Sequence, residues 1–559
     1  MTATSSLHRV SIWRSRRLSA LGPLGWCAIA LAALLAVPIV FVASSVFVPS
    51  GGSWQHLVDT VLADYVRNTV WLAVGVGFGV VVVGVGTAWL VTMCSFPGSR
   101  VLDWALILPL AVPAYVMAYA YTDFLQFSGP VQTWLRELTG WRAREYWFPD
   151  IRSLGGAITV MVFVMYPYVY LLARAAFLEQ SVGVLEVGRT LGYGAWGSFA
   201  RIALPLARPA IAAGTSLALM ETLADFGTVS YFAVQTFTTG IYRAWFSMGD
   251  PVAAAQLSAV LLALVAVVLL LERLTRGRAR YHNPAPRKRL PESRLYGWRA
   301  GAALLACMTP LVLGFALPAL ILLRMTLAQG DEQFGERFVA LTRNSVLLAV
   351  ITSLLAVALA LLMAYAVRLR PGPITWSANR VAGLGYAVPG TVIAVGILVP
   401  VARLDHAVDA FMSSTFGHAT GLLFTGGIAA LVYAYLVRFF SVALQTVDAG
   451  LTRITPSMEA AARSLGCSPG GVLARVHAPL LTGSLLTAGL MVFVDVMKEL
   501  PATFAMRPFN FDTLAVQAYN LAADERLAEA ATASLAIVAV GLVPLIFLSR
   551  TIAKTRGRT

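Results

Sequence analysis

The hydrophobic pattern of the chain consists of long apolar runs separated by short polar segments. Most runs are close to the roughly 20 residues that a helix needs to cross the hydrocarbon core of a membrane. The pattern predicts about twelve transmembrane helices, at residues 22–48, 69–94, 101–125, 154–178, 209–236, 252–272, 299–326, 345–367, 379–401, 420–445, 483–506 and 529–549. Alternating ten-residue segments, which are typical of membrane β-barrels, are absent from the sequence. We therefore expect an all-α polytopic membrane protein.

The amino-acid composition supports this prediction. Of the 559 residues, 58% are hydrophobic and 12% are charged, and the mean hydropathy is +0.75. A soluble domain of ordinary composition has about 25% charged residues. The first apolar run is longer than the roughly 7–15-residue core of a signal peptide, so we interpret it as a retained span.

The net charge of +15 is concentrated at three places along the sequence. Basic residues precede the first span, follow the last span and crowd the segment 273–299 between the sixth and seventh spans. Arg and Lys beside membrane spans mark the cytoplasmic face, because anionic lipid and the membrane potential favour cations there. We expect both termini and the 273–299 segment in the cytoplasm, with membrane lipid and not nucleic acid beside these charges.

The two halves of the sequence match each other segment by segment. Arg-Asn-Thr-Val around Asn68 returns as Arg-Asn-Ser-Val around Asn344, and Ala-Val-Pro at Pro113 returns at Pro389, each 276 positions later. An even number of spans in each half gives two parallel six-helix repeats. The two asparagines are expected to cap helices. The two prolines, in the middle of the third span of each half, predict either a hinge or a static kink.

The loop between the fourth and fifth spans of each half carries a shared motif. The motif residues are Glu186, Gly188, Leu191, Gly192, Ile202, Leu204 and Pro205 in the first half, and Glu459, Ala461, Leu465, Gly466, Val476 and Pro479 in the second. Nine residues separate Gly192 from Ile202 in the first half, and nine separate Gly466 from Val476 in the second. Each of these glycines allows the positive φ of a helix stop, and each proline is expected to break the chain before it re-enters the membrane. The motif predicts a short helix-turn-helix on the cytoplasmic surface.

This motif resembles the Glu-Ala-Ala motif of permease subunits in binding-protein-dependent ABC importers. The resemblance implies that each copy docks into an ATPase subunit; we call Glu186–Pro205 the first docking element and Glu459–Pro479 the second. Two copies imply two ATPase subunits. Both copies depart from the pattern: Val187 and Gly188 replace the two alanines of the first, and Glu459 lies one position early in the second.

On this resemblance the chain divides into five segments. They are 1–65, a cytoplasmic tail with the first helix and an external loop; 66–273, the first permease domain; 274–341, the basic linker with the seventh helix and an external loop; 342–550, the second permease domain; and 551–559, a basic cytoplasmic tail.

The sequence contains no site for ATP hydrolysis or metal binding. A phosphate-binding loop needs Gly-Lys-Ser/Thr, and none of Lys288, Lys498 and Lys554 follows a glycine. The four cysteines lack Cys-x-x-Cys spacing, and the six histidines are scattered. We therefore expect a transport subunit with no catalytic residue, metal or cofactor, and ATP hydrolysis by a separate subunit.

Ionisable residues lie in the fifth span of each half. Glu221 and Asp225 in the first half match Asp495 and Glu499 in the second, and Lys498 lies beside the second pair. Residues i and i+4 share a helix face, so each span is expected to present two acids as one polar stripe. A carboxylate at mid-membrane costs about 2.5–3.5 kcal/mol on insertion scales, so the stripe should face the bundle interior or water. These residues either line the translocation path or its gate, or pair to fix the bundle.

The fused duplication, together with residues 221–228 and 498–503, resembles the ferric-iron class of ABC importer permeases. This resemblance implies alternating access, substrate delivery by an extracytoplasmic binding protein, and a location in the inner or plasma membrane of a prokaryote. Importers of thiamine, polyamines or small oxyanions share the fold and remain alternatives. A secondary transporter driven by an ion gradient is a further alternative from another class, and a membrane-bound enzyme lacks a supporting cluster of residues.

Overall fold

A computed structural model describes residues 22–49, 52–142, 145–179, 192–276, 293–329, 335–452 and 454–557. The chain forms two compact units. The first unit contains residues up to Ser44 together with Val346–Val496, and the second contains Ser45–Ser345 together with Met497–Thr559. The second unit therefore combines most of the first half of the sequence with the end of the second half.

The described residues are almost entirely helical. The helices are α1 Gly22–Ser44, α2 Ser53–Thr60, α3 Leu62–Met93, α4 Ser99–Ala105, α5 Ala114–Leu125, α6 Pro130–Thr139, α7 Leu154–Glu179, α8 Ala195–Ser198, α9 Leu204–Ala224, α10 Gly227–Tyr231, α11 Phe237–Tyr242, α12 Pro251–Arg276, α13 Trp298–Leu311, α14 Leu317–Gln329, α15 Glu336–Leu369, α16 Pro373–Ala382, α17 Gly390–Phe416, α18 Ala429–Leu451, α19 Pro456–Ser464, α20 Pro469–Val472, α21 Ala478–Met497, α22 Pro501–Met506, α23 Leu514–Ala523 and α24 Leu527–Gly557. Two short parallel strands, β1 Cys94–Ser95 and β2 Ser293–Arg294, pair Cys94 with Ser293.

The expected all-α membrane architecture is confirmed. Eleven helices among the described residues are long and apolar enough to cross a membrane, or twelve if one bent pair counts as a single span. That pair, Ser99–Ala111 and Ala114–Thr139, bends by 92° and corresponds to the predicted third span. The break between Ala111 and Ala114 contains Pro113, where the sequence predicts a hinge or a static kink, and it divides the span predicted at 101–125.

Both mid-span prolines stand at the start of a helix. Pro113 precedes α5 and Pro389 precedes α17, with ψ of 144° and 142°. The valine before each proline is also extended, because the proline ring disfavours the α conformation in the preceding residue. The ninth span consequently begins at Gly390 and not at the predicted residue 379.

In the second unit, close backbone packing joins α3, α7 and α9. A Cβ added at Gly79 would lie 2.3 Å from Val162 of α7, and one at Gly84 would lie 2.9 Å from the carbonyl oxygen of Tyr166. A Cβ added at Gly214 of α9 would lie 2.7 Å from the Cα of Val169 in α7. Small residues are common between membrane helices because they let the backbones approach one another.

The first unit uses a similar contact between α1 and α17. A Cβ at Gly396 would lie 2.7 Å from the carbonyl oxygen of Pro38. Farther along α17, Asp405 is fully buried, and its carboxylate accepts hydrogen bonds from the backbone N–H groups of Phe424 and Thr425 at 2.9 and 2.8 Å. This carboxylate fixes the loop that leads to α18.

The two asparagines expected to cap helices do not do so. Asn68 and Asn344 lie inside α3 and α15, and their side-chain amides donate to the carbonyl oxygens of Gln235 and Asp512 at 2.9 and 3.1 Å. Each amide satisfies a carbonyl in the segment before α11 or α23. The repeated Arg-Asn-Thr/Ser-Val sequence therefore fastens a following segment to the span in both halves.

Candidate functional site

The second docking element is described throughout its length except for the side chain at position 469. Helix α19 is followed by Gly466, which has φ +84°, and α20 begins three residues later. The N–H groups of Gly466 and Cys467 donate to the carbonyls of Arg463 and Ala462 at 3.0 and 3.1 Å. These bonds satisfy the last turn of α19, as expected where a glycine ends a helix in the left-handed conformation. Ala461 and Leu465 are exposed on this element, and Leu465 is 85% exposed.

Only the second part of the first docking element lies within the described residues. Glu186, Gly188 and Leu191 lie outside them. Gly192 has φ +80°, close to the value at Gly466, and in the described part of the chain no atom beyond the chain neighbours lies within 4 Å of a Cβ built on either glycine. The glycine itself thus has the same left-handed conformation in both halves.

The prediction that the prolines break the chain is wrong. Pro205 and Pro479 lie in the first turn of α9 and α21, and each follows a π-helical turn, Phe199–Ala203 or Leu473–His477. Helical backbone runs through both π turns and prolines into the spans Phe199–Ala224 and Gly470–Met497. A π turn makes room for a residue that cannot donate its backbone N–H and would clash with the preceding turn.

The remaining motif residues lie at these junctions. Ile202 and Val476 are half-buried within the π turns, and Leu204 is half-buried at the first position of α9. Pro205 and Pro479 are exposed.

Glu459 of the second element lies against two side chains of the same unit, Arg368 and His477. The Arg368 guanidinium at the end of α15 donates to the Glu459 carboxylate through Nε. His477, which is fully buried, places Nε2 3.1 Å from Oε1 of Glu459. The sequence reasoning singled out neither Arg368 nor His477 as a partner of this acid.

The acids at the ends of the fifth and eleventh spans do not form a helical stripe. Helix α9 ends at Ala224 and α21 ends at Met497, so Asp225 and Glu499 lie beyond each helix and no longer share its face with the acid four residues earlier. Asp225 is in the extended conformation, with ψ 132°. The predicted i, i+4 stripe is wrong in both halves because each span breaks at this point.

The two acids instead bind the start of the next short helix. Asp225 accepts the backbone N–H groups of Thr228 and Val229 at 3.0 and 3.2 Å. Glu499 accepts those of Ala502 and Thr503 at 2.9 and 3.0 Å. A carboxylate at a helix N-terminus satisfies free N–H groups and interacts favourably with the helix dipole. The break and its carboxylate cap are thus duplicated.

The other ionisable residues of this region are half-buried. Glu221 lies on α9 and Asp495 on α21, in different units, while Lys498 follows α21. The Tyr115 hydroxyl donates to the backbone oxygen of Lys498 at 3.3 Å. Among the described residues, no group of three or more His, Cys, Asp and Glu side chains could hold a metal ion.

Within the second unit, aromatic rings from both halves of the sequence surround the two capped breaks. The Phe226 ring lies 3.9 Å from that of Tyr242 and 5.8 Å from that of Phe504, and Phe504 lies 5.1 Å from Tyr519. A Cβ at Gly227 would lie 2.8 Å from Leu500. Residues after α9 and residues after α21 therefore form one closed apolar cluster, which we call the aromatic cluster.

Comparison with known proteins identifies a transport family. Residues 80–280 match the family described as the binding-protein-dependent transport system inner membrane component. The chain is 26% identical over 503 residues to the Fe(3+)-transport system permease protein FbpB 2 of Haemophilus influenzae, covering 88% of this chain and 90% of the relative.

Two shorter relatives match part of the chain at higher identity. The molybdenum transport system permease protein ModB of Escherichia coli K12 is 31% identical over 206 residues, which cover 35% of this chain and 87% of the relative. The sulfate transport system permease protein CysW of the same strain is 30% identical over 201 residues, covering 35% of this chain and 65% of the relative.

Proposed function

The chain belongs to the binding-protein-dependent transport permeases, the inner-membrane subunits of ABC importers, and on this premise we propose that it translocates ferric iron. It is a multi-pass inner-membrane protein, and subunits of this family lack ATPase activity. Importers of this family work with an ATPase and a binding protein. In the proposed complex two ATPase subunits dock on the two elements from the cytoplasm, where both termini lie, and the binding protein delivers iron from the opposite face.

The iron assignment is carried by one observation, the similarity along nearly the whole chain to a Fe(3+)-transport permease. That similarity covers both halves, whereas the matches to molybdenum and sulfate permeases cover about a third of this chain. A small oxyanion is the second candidate, favoured by the higher identity of those shorter matches. The predicted path contains four acids and one lysine, and this balance favours a cation over an anion.

We assign the gate to the two capped breaks and the aromatic cluster. The carboxylates of Asp225 and Glu499 are occupied by backbone N–H groups, so they fix the short helices α10 and α22. Opening would separate the rings of Phe226 and Phe504 and would require α10 and α22 to move with their capping acids. Because the breaks are duplicated, both halves would contribute equally to this gate.

The test is substrate uptake by the whole importer in proteoliposomes. The chain, its ATPase and its binding protein are reconstituted, and uptake of radiolabelled ferric iron is measured with ATP, without ATP, and with excess molybdate, sulfate, thiamine or polyamine. We expect ATP-dependent iron uptake that these competitors leave unchanged. Uptake of molybdate or sulfate in place of iron would overturn the iron assignment. Uptake driven by an ion gradient without ATPase would contradict the importer mechanism.

A further inference from the structure

Arg368 joins the second docking element to a membrane-spanning helix. It lies in the last turn of α15, and its guanidinium donates through Nη1 to the carbonyl of Leu451 and through Nη2 to that of Ile454, each at 2.6 Å. Its Nε donates to Glu459 on α19. The planar guanidinium offers five donors in a fixed geometry, so one side chain holds three points between the end of α18 and the docking helix.

The Glu459 carboxylate extends this connection to the next span. His477 lies in the π turn that leads into α21, and its Nε2 is 3.1 Å from Glu459 Oε1. The His477 ring meets that of Tyr365 edge-on at 5.5 Å, and Tyr365 lies one turn before Arg368 on α15. The Glu459 carboxylate therefore accepts a hydrogen bond from α15 and lies directly beside the start of α21. We call Arg368, Glu459 and His477 the polar junction.

The first half has different residues at the matching positions. Thr92 corresponds to Arg368 and Ala203 to His477 by the 276 and 274 offsets of the repeat. The Thr92 hydroxyl donates to the carbonyl of Ala88 in its own helix at 2.7 Å. Nearby, the Trp89 ring contacts that of Phe199 at 4.8 Å. Among the described residues, the basic side chains of the junction therefore occur in the second half alone.

We propose that Arg368 is a positioning residue that transmits movement of the second docking helix directly to α15. This inference rests on the proposed docking of an ATPase at Glu459–Pro479. Glu459 faces inward, with a side chain only 16% exposed, so its charge serves the junction and not the partner. The surface left for the ATPase is mixed: Met458 is 47% and Leu465 is 85% exposed, and Arg463 and Arg475 of the same element are exposed as well.

The proposal predicts that loss of the guanidinium uncouples transport from ATP hydrolysis without releasing the ATPase. Arg368→Ala is compared with wild type in the reconstituted importer, and the matched control is Thr92→Ala. We measure iron taken up per ATP hydrolysed, together with the amount of ATPase that copurifies. Coupling energies between sites commonly correspond to changes of about 5–150-fold, so we expect uptake per ATP to fall about tenfold in Arg368→Ala. We expect Thr92→Ala to behave as wild type.

A charge exchange separates positioning from simple structural support. Arg368→Glu and Glu459→Arg are each expected to uncouple. The double variant is expected to recover part of the lost uptake per ATP, because it restores the ion pair but a carboxylate at position 368 cannot donate to the carbonyls of Leu451 and Ile454. If Arg368→Ala does not assemble, Arg368→Lys serves in its place. This variant keeps the positive charge but loses the several N–H donors of the guanidinium, so it should be partly uncoupled.

Unchanged uptake per ATP in the Arg368 variants would overturn the inference, and so would loss of ATPase binding, which would make Arg368 part of the docking contact. If the two single variants uncouple and the double variant recovers no uptake per ATP, that result would also count against the inference. If the wild-type importer shows no ATP-dependent uptake, the proposed function itself is overturned. If wild type and variant take up the same amount of iron per ATP, only the inference about Arg368 is overturned.

Discussion

The two docking elements and the two span breaks have diverged to different extents since the halves were duplicated. At the breaks, Asp225 and Glu499 each accept the backbone N–H groups three and four residues later, at 3.0 and 3.2 Å and at 2.9 and 3.0 Å. At the docking elements, the positions matching Arg368 and His477 are Thr92 and Ala203. From this difference we expect the proposed gate to require two equal contributions and the proposed docking elements to couple by unequal contacts.

The largest effect is expected at the glycine turns, whose positive φ both docking elements share. Gly192→Val and Gly466→Val place a β-branched residue at φ near +80°, where strain costs about 1–3 kcal/mol. Among the described residues, and apart from the chain neighbours, nothing lies within 4 Å of either Cβ, so there the cost comes from backbone conformation. We expect each variant to lose most of its uptake and part of its bound ATPase, as measured by copurification.

The controls for these variants are nearby glycines with ordinary φ. Gly194→Val and Gly470→Val also meet nothing within 4 Å and should keep wild-type ATPase binding. Equal losses at the control and the turn positions would contradict the role of the positive φ.

The second prediction tests the equality of the breaks. Asp225→Asn and Glu499→Gln each retain one oxygen acceptor but lose the charge that binds the helix N-terminus. Each is expected to cost about 1–2 kcal/mol, with similar falls in thermal midpoint and in iron uptake. If one variant alone loses uptake, the two breaks do not contribute equally to the gate.

The third prediction concerns the prolines before α5 and α17. Replacing Pro113 or Pro389 by Ala should cost about 0.4–1 kcal/mol, because the unfolded chain gains conformational freedom. If the break is a static kink, the uptake rate at saturating substrate should be unchanged in both variants. A change of rate with unchanged stability would identify the proline concerned as a hinge.

The smallest effect is expected at an ion pair before α7. Arg152 Nη1 lies 2.8 Å from Glu525 Oε1. Hydrogen bonding from Arg152 lowers the pKa of Glu525 below its usual value of 4.5. The pair is partly exposed, so Glu525→Gln should destabilise the protein by only about 0.2–1 kcal/mol at neutral pH.

The pH dependence of this difference has a definite sign. A carboxyl with a lowered folded-state pKa contributes stability above its usual pKa, and that contribution is lost as the pH falls through the lowered value. The thermal midpoints of wild type and Glu525→Gln should therefore converge under acidic conditions. A gap that widens on acidification would contradict this assignment.

Much of the fold could be predicted from the sequence because membrane spans and the repeat both leave local patterns. The positive φ at Gly192 and Gly466 also follows from the residue type and its place after a helix. The breaks at Asp225 and Glu499 could not be predicted in this way, since an acid four residues after another acid fits a helix face equally well. Only the contacts with residues 228–229 and 502–503 distinguish the two arrangements.

Long-range polar contacts were the other part that the sequence did not reveal. Arg368 and Glu459 are 91 positions apart, and Asn68 bonds to a residue 167 positions away. Residues so far apart in a single sequence show no regular spacing from which their contact could be predicted. The repeat nevertheless carried a usable signal, because Asn68 and Asn344 return at one offset and make the same contact in both halves.

The central claim is that both docking elements bind an ATPase subunit, and that they do so unequally. It is tested most directly by maleimide labelling at the two turns. Cys467 follows Gly466 and is half-exposed, and Tyr193→Cys places a thiol at the matching position of the first element. Labelling is followed by mass spectrometry as ATPase is added to the permease, with Cys307, which is buried, as the internal reference. We predict that ATPase protects both thiols and that the two protection curves have different midpoints. Identical midpoints would contradict the inequality, and unprotected labelling at either turn would contradict docking there.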